Sequence, residues 1–450
     1  MQDDTRLIHH GRAGAGAGAG YDGLVNPPVC HASTILFPTL DALEGRTPVP
    51  MSYGRHGTPT QFALAEALSA LHGGAGTVLV PSGLAAAVLA ISTFAHVGTH
   101  VLITDSVYGP TRAYCDELAR HRGVTVEYFD PLIGAGIEAL LRPETALVFL
   151  ESPGSLTFEL QDVPAIAAVA HARGVRVAID DTWSAGYFMK PLALGADISV
   201  QALTKYVGGH SDLMLGAVIC NAGTLDAVKH QARLTGNASA PDDVSLALRG
   251  LRTLAVRLHQ HELSGLDLAR WLVQQPQVAR VVHPGRPDHP QHDLWLRDFS
   301  GACGLFGFEL HPCTRTQLAA FLDGLKLFGM GYSWGGFESL IIPAHAPRTV
   351  RKWKTAGPWL RVHVGLEEIE DLINDLALGF QRLSAAAPPP GPAAPAAAET
   401  AVAAAGSEPA APGSDGPPDS DSEELPPAEV TEPAGEQPAA GDPPLPPAVA

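Results

Sequence analysis

Short apolar runs rich in β-branched residues alternate with longer segments of helical period between about residues 70 and 220. The runs have the length and composition of buried strands. They are TVLVP (77–81), HVLIT (100–104), VTVEYF (124–129), ALVFL (146–150), VRVAI (175–179), DISVQ (197–201) and LMLGAVIC (213–220). Segments such as LAAAVLAISTFA, PTRAYCDELARHR and VPAIAAVAHARG separate most of them. The pattern predicts an α/β fold whose mostly parallel central sheet has helices on both faces.

A smaller set of elements is predicted after about residue 242. One long helical stretch covers roughly 242–274 and would lead into a smaller C-terminal α+β domain. The elements predicted there are strand GLFGFEL (304–310), helix RTQLAAFLDGL (315–325), strand WLRVHVG (359–365) and the amphipathic helix EEIEDLINDLALGFQRL (367–383).

Two segments have a composition that does not suit a packed core. AGAGAGAG (13–20) is too rich in glycine for a regular element and predicts a flexible loop. The segment 385–450 contains 17 prolines and eleven acidic residues, with no lysine, arginine or aromatic residue. It cannot bury enough apolar area to offset its ordering entropy, so we expect a disordered tail. Such a tail either keeps the protein in solution or binds a partner.

The rest of the composition is that of a soluble enzyme-sized protein. The net charge is −18, and −7 remains once the acidic tail is set aside, so no basic surface for nucleic acid is indicated. The five scattered cysteines form no CxxC pair, which favours a reducing compartment over disulfides or a zinc site. The chain shows no secretory signal and no apolar run of about 20 residues. We therefore expect a cytoplasmic protein without a membrane span or a bound metal.

Lys205 is the first candidate for chemistry, because it lies in QALTKYVGGH, where a predicted strand ends. In open α/β sheets, ligands bind beyond the carboxyl ends of the strands. A partly desolvated lysine there would have a lowered pKa and could bond covalently to an aldehyde. The alternative is a surface lysine whose charge simply reaches solvent.

Three further signals lie at the ends of other predicted strands. Asp180 could pair with a protonated pyridine nitrogen, although it or Asp181 could equally cap a turn. The turn PSG (81–83) opens a helix whose N–H groups would suit a phosphate, or it is a plain turn. Tyr108 could stack on a planar ring or be an ordinary tyrosine. Together with Lys205 they suit a phosphorylated pyridine aldehyde.

The chain resembles the Cys/Met-metabolism family of pyridoxal-phosphate (PLP) enzymes, within the aminotransferase-like fold type I. The resemblance runs from about Thr5 to Leu383. The motifs that carry it are VNPPVCHAST, SYGRHGTPT, FLESPGS, IDDTWSAG, QALTKYVGGHSD, GLRTLAVRLHQH, YSWGGFESL and LRVHVGLE. It implies PLP as cofactor and an amino acid as substrate.

The resemblance also implies roles for individual residues. Lys205 would bond to the cofactor aldehyde and move protons, Asp180 would hold the pyridine nitrogen, and Tyr108 would stack on the ring. The backbone of Gly83 and Leu84 and the hydroxyl of Thr204 would face the phosphate. Tyr53 and Arg55 would contact the phosphate bound by a neighbouring subunit, and Arg361 would bind the substrate carboxylate. Ser333 and Trp334 would line the substrate side of the site. Trp334 could instead only fill space.

Two positions and one motif bear on where this chain stands within the family, and the loop at 13–20 looks like an insertion that touches no motif. Asp181 stands where relatives usually have asparagine, which would add a negative charge near the pyridine nitrogen. Ala202, where γ-acting relatives often carry serine, and the sequence YSWGG both favour β-elimination. The implied reaction is cleavage of cystathionine to homocysteine, pyruvate and ammonia. The alternatives are γ-synthase, γ-lyase or cysteine-desulfhydrase reactions on the same scaffold, or a PLP-binding regulatory protein.

The resemblance implies a division of the chain and an assembly. The predicted parts are an arm at 1–60 that contacts a neighbouring subunit, a large PLP-binding domain at 61–250, a small domain at 251–384 and the tail at 385–450. Active sites shared between subunits imply a homotetramer built from two dimers.

Overall fold

A seven-stranded sheet forms the centre of the chain in a computed structural model, which describes residues 2–12 and 24–386. Its strands are β1 (Gly76–Val80), β2 (His100–Thr104), β3 (Thr125–Phe129), β4 (Thr145–Glu151), β5 (Arg176–Asp180), β6 (Ile198–Ala202) and β7 (Gly216–Cys220). They lie in the order β1-β7-β6-β5-β4-β2-β3. Only β7 runs antiparallel to its neighbours, so the carboxyl ends of the other six strands share one edge. The mostly parallel sheet was predicted correctly.

Helices cover both faces of this sheet because successive strand residues point to opposite sides. The helices are α1 (Asp3–His9), α2 (Leu40–Leu43), α3 (Pro59–His72), α4 (Gly83–Ser92), α5 (Gly109–His121), α6 (Val163–Ala172), α7 (Leu225–Leu234), α8 (Pro241–Leu251) and α9 (Leu254–Val273). In β4, Val148 and Leu150 pack with α3, α6 and α8 on one face. Leu147 and Phe149 pack with α4, α5 and α7 on the other. β4 is therefore apolar on both faces, as its apolar sequence predicted.

A second sheet of four antiparallel strands follows, in the order β10-β11-β9-β8. Its strands are β8 (Val278–Val282), β9 (Leu305–Leu310), β10 (Leu340–Pro343) and β11 (Trp359–His363), and its helices are α10 (His292–Asp298), α11 (Arg315–Leu322) and α12 (Ile369–Ala385). The central strands β9 and β11 were predicted. The edge strands β8 and β10 were not, because they are short and only partly buried.

The long helix predicted over 242–274 is wrong in one respect, since Arg252 and Thr253 separate α8 from α9. A Cβ on Gly250 would lie 2.3 Å from the carbonyl oxygen of Val207, so α8 ends against neighbouring backbone. The Arg252 guanidinium donates to the carbonyls of Leu7 (2.7 Å) and His10 (2.6 Å). These tertiary contacts interrupt a segment whose periodicity continues.

The described residues fall within one compact unit, Met1–Ala393. The predicted flexible loop at 13–20 and the predicted tail beyond Ala386 lie outside the described residues. The division into arm, large domain and small domain stays a prediction. None of the helices in 2–12 and 24–386 combines the length and hydropathy required to cross a bilayer.

Candidate active site

The turn Pro81–Gly83 packs against the ends of two other strands. Gly216 pairs with Val80 on one side and with Ala202 on the other, so β1 and β6 end at the same level of the sheet. A Cβ on Gly216 would lie 2.0 Å from the Ser82 carbonyl oxygen, and one on Gly83 would lie 2.4 Å from the Ala202 Cβ. Only glycine fits at these two positions, and the start of α4 is thereby held against the strand ends.

The start of α4 carries backbone donors that its own helix cannot use. The Ser82 hydroxyl accepts the N–H of Ala85, while those of Gly83 and Leu84 belong to the first turn, where anions bind favourably. Thr204 lies at the same edge, but its hydroxyl accepts the Leu215 N–H (3.1 Å) and is within donating distance of the Leu215 carbonyl (3.2 Å). Contact between Thr204 and a phosphate therefore requires the hydroxyl to turn.

Lys205 follows β6 and is covered by residues 333–335, which lie between α11 and β10. Its Nζ donates to the Ser333 hydroxyl at 2.6 Å and lies 5.3 Å from the centre of the Trp334 ring. A Cβ on Gly335 would lie 2.9 Å from the Lys205 carbonyl carbon, so this segment rests directly on the lysine backbone. Burial, together with the positive charge of Arg361, lowers the pKa of Lys205 to about 8. The side chain therefore exchanges a proton near neutral pH.

Asp180 ends β5 and faces Lys205. Its Oδ1 accepts the N–H of Thr182 (3.0 Å) and the Thr182 hydroxyl (2.6 Å). Burial raises the pKa of Asp180, and the Thr182 hydrogen bonds and the Lys205 charge act against that rise. The carboxylate is thus directed to the same edge as Lys205. Asp181, in contrast, is fully buried behind it.

Glu151, within the motif FLESPGS, is a third carboxylate at this edge, and no role was predicted for it from the sequence. It ends β4 and pairs in register with Asp180. Its Oε2 accepts the backbone N–H of Tyr108 at 2.7 Å, which fixes the start of α5. Burial and the neighbouring Asp180 raise the pKa of Glu151 well above its usual range. Ligands bind beyond the carboxyl ends of strands in open α/β sheets, and this rule applied to β4 would have identified Glu151.

Arg361 reaches this edge from β11 of the second sheet. Its Nη2 donates to the carbonyl of Ser333 at 2.9 Å, so it also supports the segment over Lys205. Burial lowers the pKa of Arg361 to about 10, and the nearby hydroxyls of Tyr108 and Tyr332 oppose that shift. The two sheets therefore meet at one site, where Tyr108 is 46% exposed.

Tyr53 and Arg55 lie elsewhere, along a cavity of about 560 Å³ that Cys30, Gln61 and Ser239 also line. Tyr53 is 44% exposed, and the Arg55 guanidinium donates to the carbonyl of Arg233. Within the described residues, neither side chain bonds to the residues around Lys205. Their predicted contact with a neighbouring subunit stays a prediction.

A buried carboxylate, Asp105, joins the segment 348–351 to the large sheet. It accepts the N–H groups of Thr349 (2.9 Å), Val350 (2.9 Å) and Arg351 (3.1 Å), and the Arg112 guanidinium at 2.6 Å. Burial would raise the pKa of Asp105, but these hydrogen bonds outweigh it and lower the pKa to about 2.

Arg348, in the same segment, contacts the loop that follows β4. Its guanidinium donates to the carbonyl of Ser155 at 3.1 Å and to the Thr157 hydroxyl. Ser155 follows the strand that Glu151 ends, so the segment 348–351 ties the second sheet to the two loops that carry Tyr108 and Glu151. Neither Asp105 nor Arg348 stood out in the sequence.

The sequence model of the family described as Cys/Met metabolism PLP-dependent enzyme matches residues 4–381. The chain belongs to this family. Its cofactor is pyridoxal phosphate, and the predicted fold type I is confirmed.

Individual relatives match over most of their length. A putative cystathionine β-lyase of Rhizobium johnstonii is 50% identical over 387 residues, which cover 85% of this chain and 96% of the relative. A cystathionine β-lyase of Escherichia coli is 44% identical, covering 84% and 98%. The solved structure of a cystathionine γ-synthase of Xanthomonas oryzae is 31% identical, with a TM-score of 0.77 and coverage of 86% and 99%.

Asp105→Asn tests the anchoring of the segment 348–351. Removing the charge from a buried, fully bonded carboxylate should lower the free energy of unfolding at pH 7 by about 3–5 kcal/mol. Since the folded pKa lies below the unfolded one, this stabilisation is complete above about pH 5 and is lost as the pH falls toward 2.

Denaturant unfolding at several pH values measures the effect. The exposed Asp323→Asn at the end of α11 is the matched control and should change stability little. Equal stability of wild type and Asp105→Asn at pH 7, or a difference that persists unchanged near pH 2, would contradict this account.

Proposed function

We propose that the protein is a carbon–sulfur lyase that cleaves L-cystathionine by β-elimination, giving homocysteine, pyruvate and ammonia. The observation that carries the proposal is the convergence of Lys205, Asp180 and Arg361 on one edge of the sheet. Two relatives at 50% and 44% identity bear the name cystathionine β-lyase, which supports this substrate among those of the family.

The residues present fit the cofactor. Lys205 would bond to the aldehyde and Asp180 would hold the pyridine nitrogen, at the edge where Tyr108 can cover the ring. The first turn of α4, with Gly83 and Leu84, would bind the phosphate, and Thr204 would join it after its hydroxyl turns. The close packing of Gly83 on Ala202 holds this first turn at the strand ends, because a Cβ at position 83 would collide with Ala202. When bound, the cofactor supplies a ring that accepts the electrons released at the substrate Cα.

Proton transfer is the part of the reaction that Lys205 itself performs. With a pKa of about 8, its amine is populated in both protonation states at neutral pH. Once the substrate amine has displaced Lys205 from the aldehyde, the freed, neutral Lys205 amine would take the proton from the substrate Cα, and the ammonium would then donate it to the sulfur that leaves from Cβ. The Ser333 hydroxyl, 2.6 Å from Nζ, would orient the amine. Tyr53 of a neighbouring subunit is the alternative donor to sulfur.

Arg361 and the neighbouring residues Ser333 and Trp334 would orient the substrate. The planar guanidinium can bind a carboxylate with two hydrogen bonds, which fixes the Cα–H bond relative to Lys205. Ser333 and Trp334 would line the substrate side, and the partly buried indole would limit the access of water. Both are fixed by the Arg361 bond to the Ser333 carbonyl.

The proposed assembly is a homotetramer of two dimers in the cytoplasm. Tyr53 and Arg55 are exposed and lie apart from Lys205, as expected if they complete a site on another subunit. The N-terminal segment also exposes several large apolar side chains, which a neighbouring subunit would cover: Leu24, Val25, Leu36, Leu40 and Leu43.

The alternative is a γ-acting enzyme on the same scaffold, and the solved γ-synthase with 31% identity is the observation that favours it. The keto acid decides between them, because β-cleavage of cystathionine gives pyruvate and γ-cleavage gives 2-oxobutyrate.

Lys205→Ala should lower the rate of pyruvate release by about 10²–10⁴-fold or more, since it removes both the cofactor bond and the proton-transfer group. The assay is keto-acid identification after incubation of purified protein with cystathionine. Lys326→Ala, an exposed lysine after α11, is the control and should keep full activity. Undiminished pyruvate release by Lys205→Ala, or 2-oxobutyrate as the wild-type product, would refute the proposal.

Arg361→Lys should reduce kcat/KM by about 10- to 100-fold, mostly through KM, because a lysine ammonium cannot reproduce two parallel bonds to a carboxylate worth about 1.5–3 kcal/mol. Steady-state kinetics with cystathionine measures it, with the exposed Arg270→Lys on α9 as the matched control. If KM were unchanged in Arg361→Lys, the carboxylate would bind elsewhere.

A further inference from the structure

Asp181 is a fully buried carboxylate for which the mechanism has no use. Its Oδ1 accepts the Ser199 hydroxyl at 2.7 Å and the Gln201 side-chain amide, and its Oδ2 accepts the Ser184 hydroxyl at 3.1 Å. All three donors are neutral, and among the described residues no ion pair includes Asp181. These hydrogen bonds favour the ionised form, but ionising a buried carboxyl group without a cationic partner is costly, and this cost favours the protonated form.

The groups on the strand side of Asp181 are also acidic. Asp180 is its neighbour in the chain and would repel a second negative charge. Glu151 lies beyond, paired in register with Asp180. Lys205 is the cation on this side, and it faces Asp180. Asp180 is therefore the carboxyl group that ionises first.

The groups on the helix side do not compensate. Lys190 attracts Asp181, but its ammonium is bonded to Asp3 at 2.8 Å and to the carbonyls of Leu71 and Gly186. His72 of α3 contacts Ser199 at 3.2 Å, and burial lowers its pKa to about 3, so it is neutral. Burial, with the Asp180 charge, raises the pKa of Asp181 to about 7 against the hydrogen bonds that lower it.

We propose that Asp181 is a positioning residue that carries a proton at neutral pH and leaves Asp180 as the one negative charge of the pair at the cofactor ring. The inference rests on the proposed role of Asp180. Protonated Asp181 fixes the end of β5 through Ser184, Ser199 and Gln201 without adding charge. Its ionisation in alkaline solution places a second negative charge beside the first.

The sign of the pH dependence follows from the protons that each state binds. Between about pH 4 and 7 the unfolded chain has an ionised Asp181 while the folded chain keeps the proton. Stability therefore falls as the pH rises through this window, and the loss is complete above about pH 7. A neutral residue of the same shape should escape this loss.

Asp181→Asn in the holoenzyme tests the proposal through the thermal midpoint and the absorbance of the bound cofactor, both followed from about pH 5 to pH 9. We expect equal midpoints at pH 5 and a variant that is more stable by a few degrees at pH 8.5. In the wild type, the cofactor absorbance should include a transition near pH 7 that the variant lacks. Asp181→Leu, which keeps the size but not the hydrogen bonds, should be less stable than wild type at pH 5.

Several results would overturn the proposal. They are a midpoint difference that does not vary with pH, the same absorbance transition in both proteins, a leucine variant as stable as the asparagine variant, and failure of Asp181→Asn to fold. Pyruvate release from cystathionine is measured on the same wild-type preparation. Its absence would refute the proposed reaction, whereas the stability comparison would still decide the protonation of Asp181.

Discussion

The site depends on the partial burial of Lys205 beneath residues 333–335, which precede β10. Gly335 rests on the lysine backbone, Ser333 accepts from Nζ, and Trp334 lies over the side chain. Burial, rather than a bond to a particular partner, is the main cause of the lowered pKa. A lysine at the same strand end without this cover would stay protonated and unreactive at neutral pH.

The second sheet is itself held in place by electrostatic contacts with the first. Asp105 binds three successive N–H groups of the segment 348–351, and Arg348 reaches the loop after β4. Arg361 brings a buried positive charge to an edge that already carries Asp180 and Glu151. Arg361 from the second sheet thus meets carboxylates from the first, and the carboxylate of an amino-acid substrate would bind beside Arg361.

The sequence was informative wherever burial is complete. The seven central strands were found within a few residues because side chains on both faces are apolar, and strand carboxyl ends directed attention to Lys205, Asp180 and Tyr108. Those three residues are neighbours in the structure, although their roles are still proposals. The same rule applied to β4 would have added Glu151.

What the sequence did not reveal depends on contacts between distant segments. The edge strands β8 and β10 have too few buried residues for a clear period, and the break at Arg252 is set by the end of α1. The role of Asp105 depends on a segment more than 240 residues away in the chain. The predicted roles of Tyr53 and Arg55 require a neighbouring chain. For Asp181, a motif marks the position, but only its neutral, cation-free surroundings indicate that it holds a proton.

Reduction of the resting enzyme with borohydride, followed by mass spectrometry of its peptides, tests whether the cofactor is bonded to Lys205. We expect the cofactor on the peptide that contains Lys205, in roughly one equivalent per chain. Cofactor fixed to another lysine, or a protein that traps none after reconstitution with pyridoxal phosphate, would contradict it.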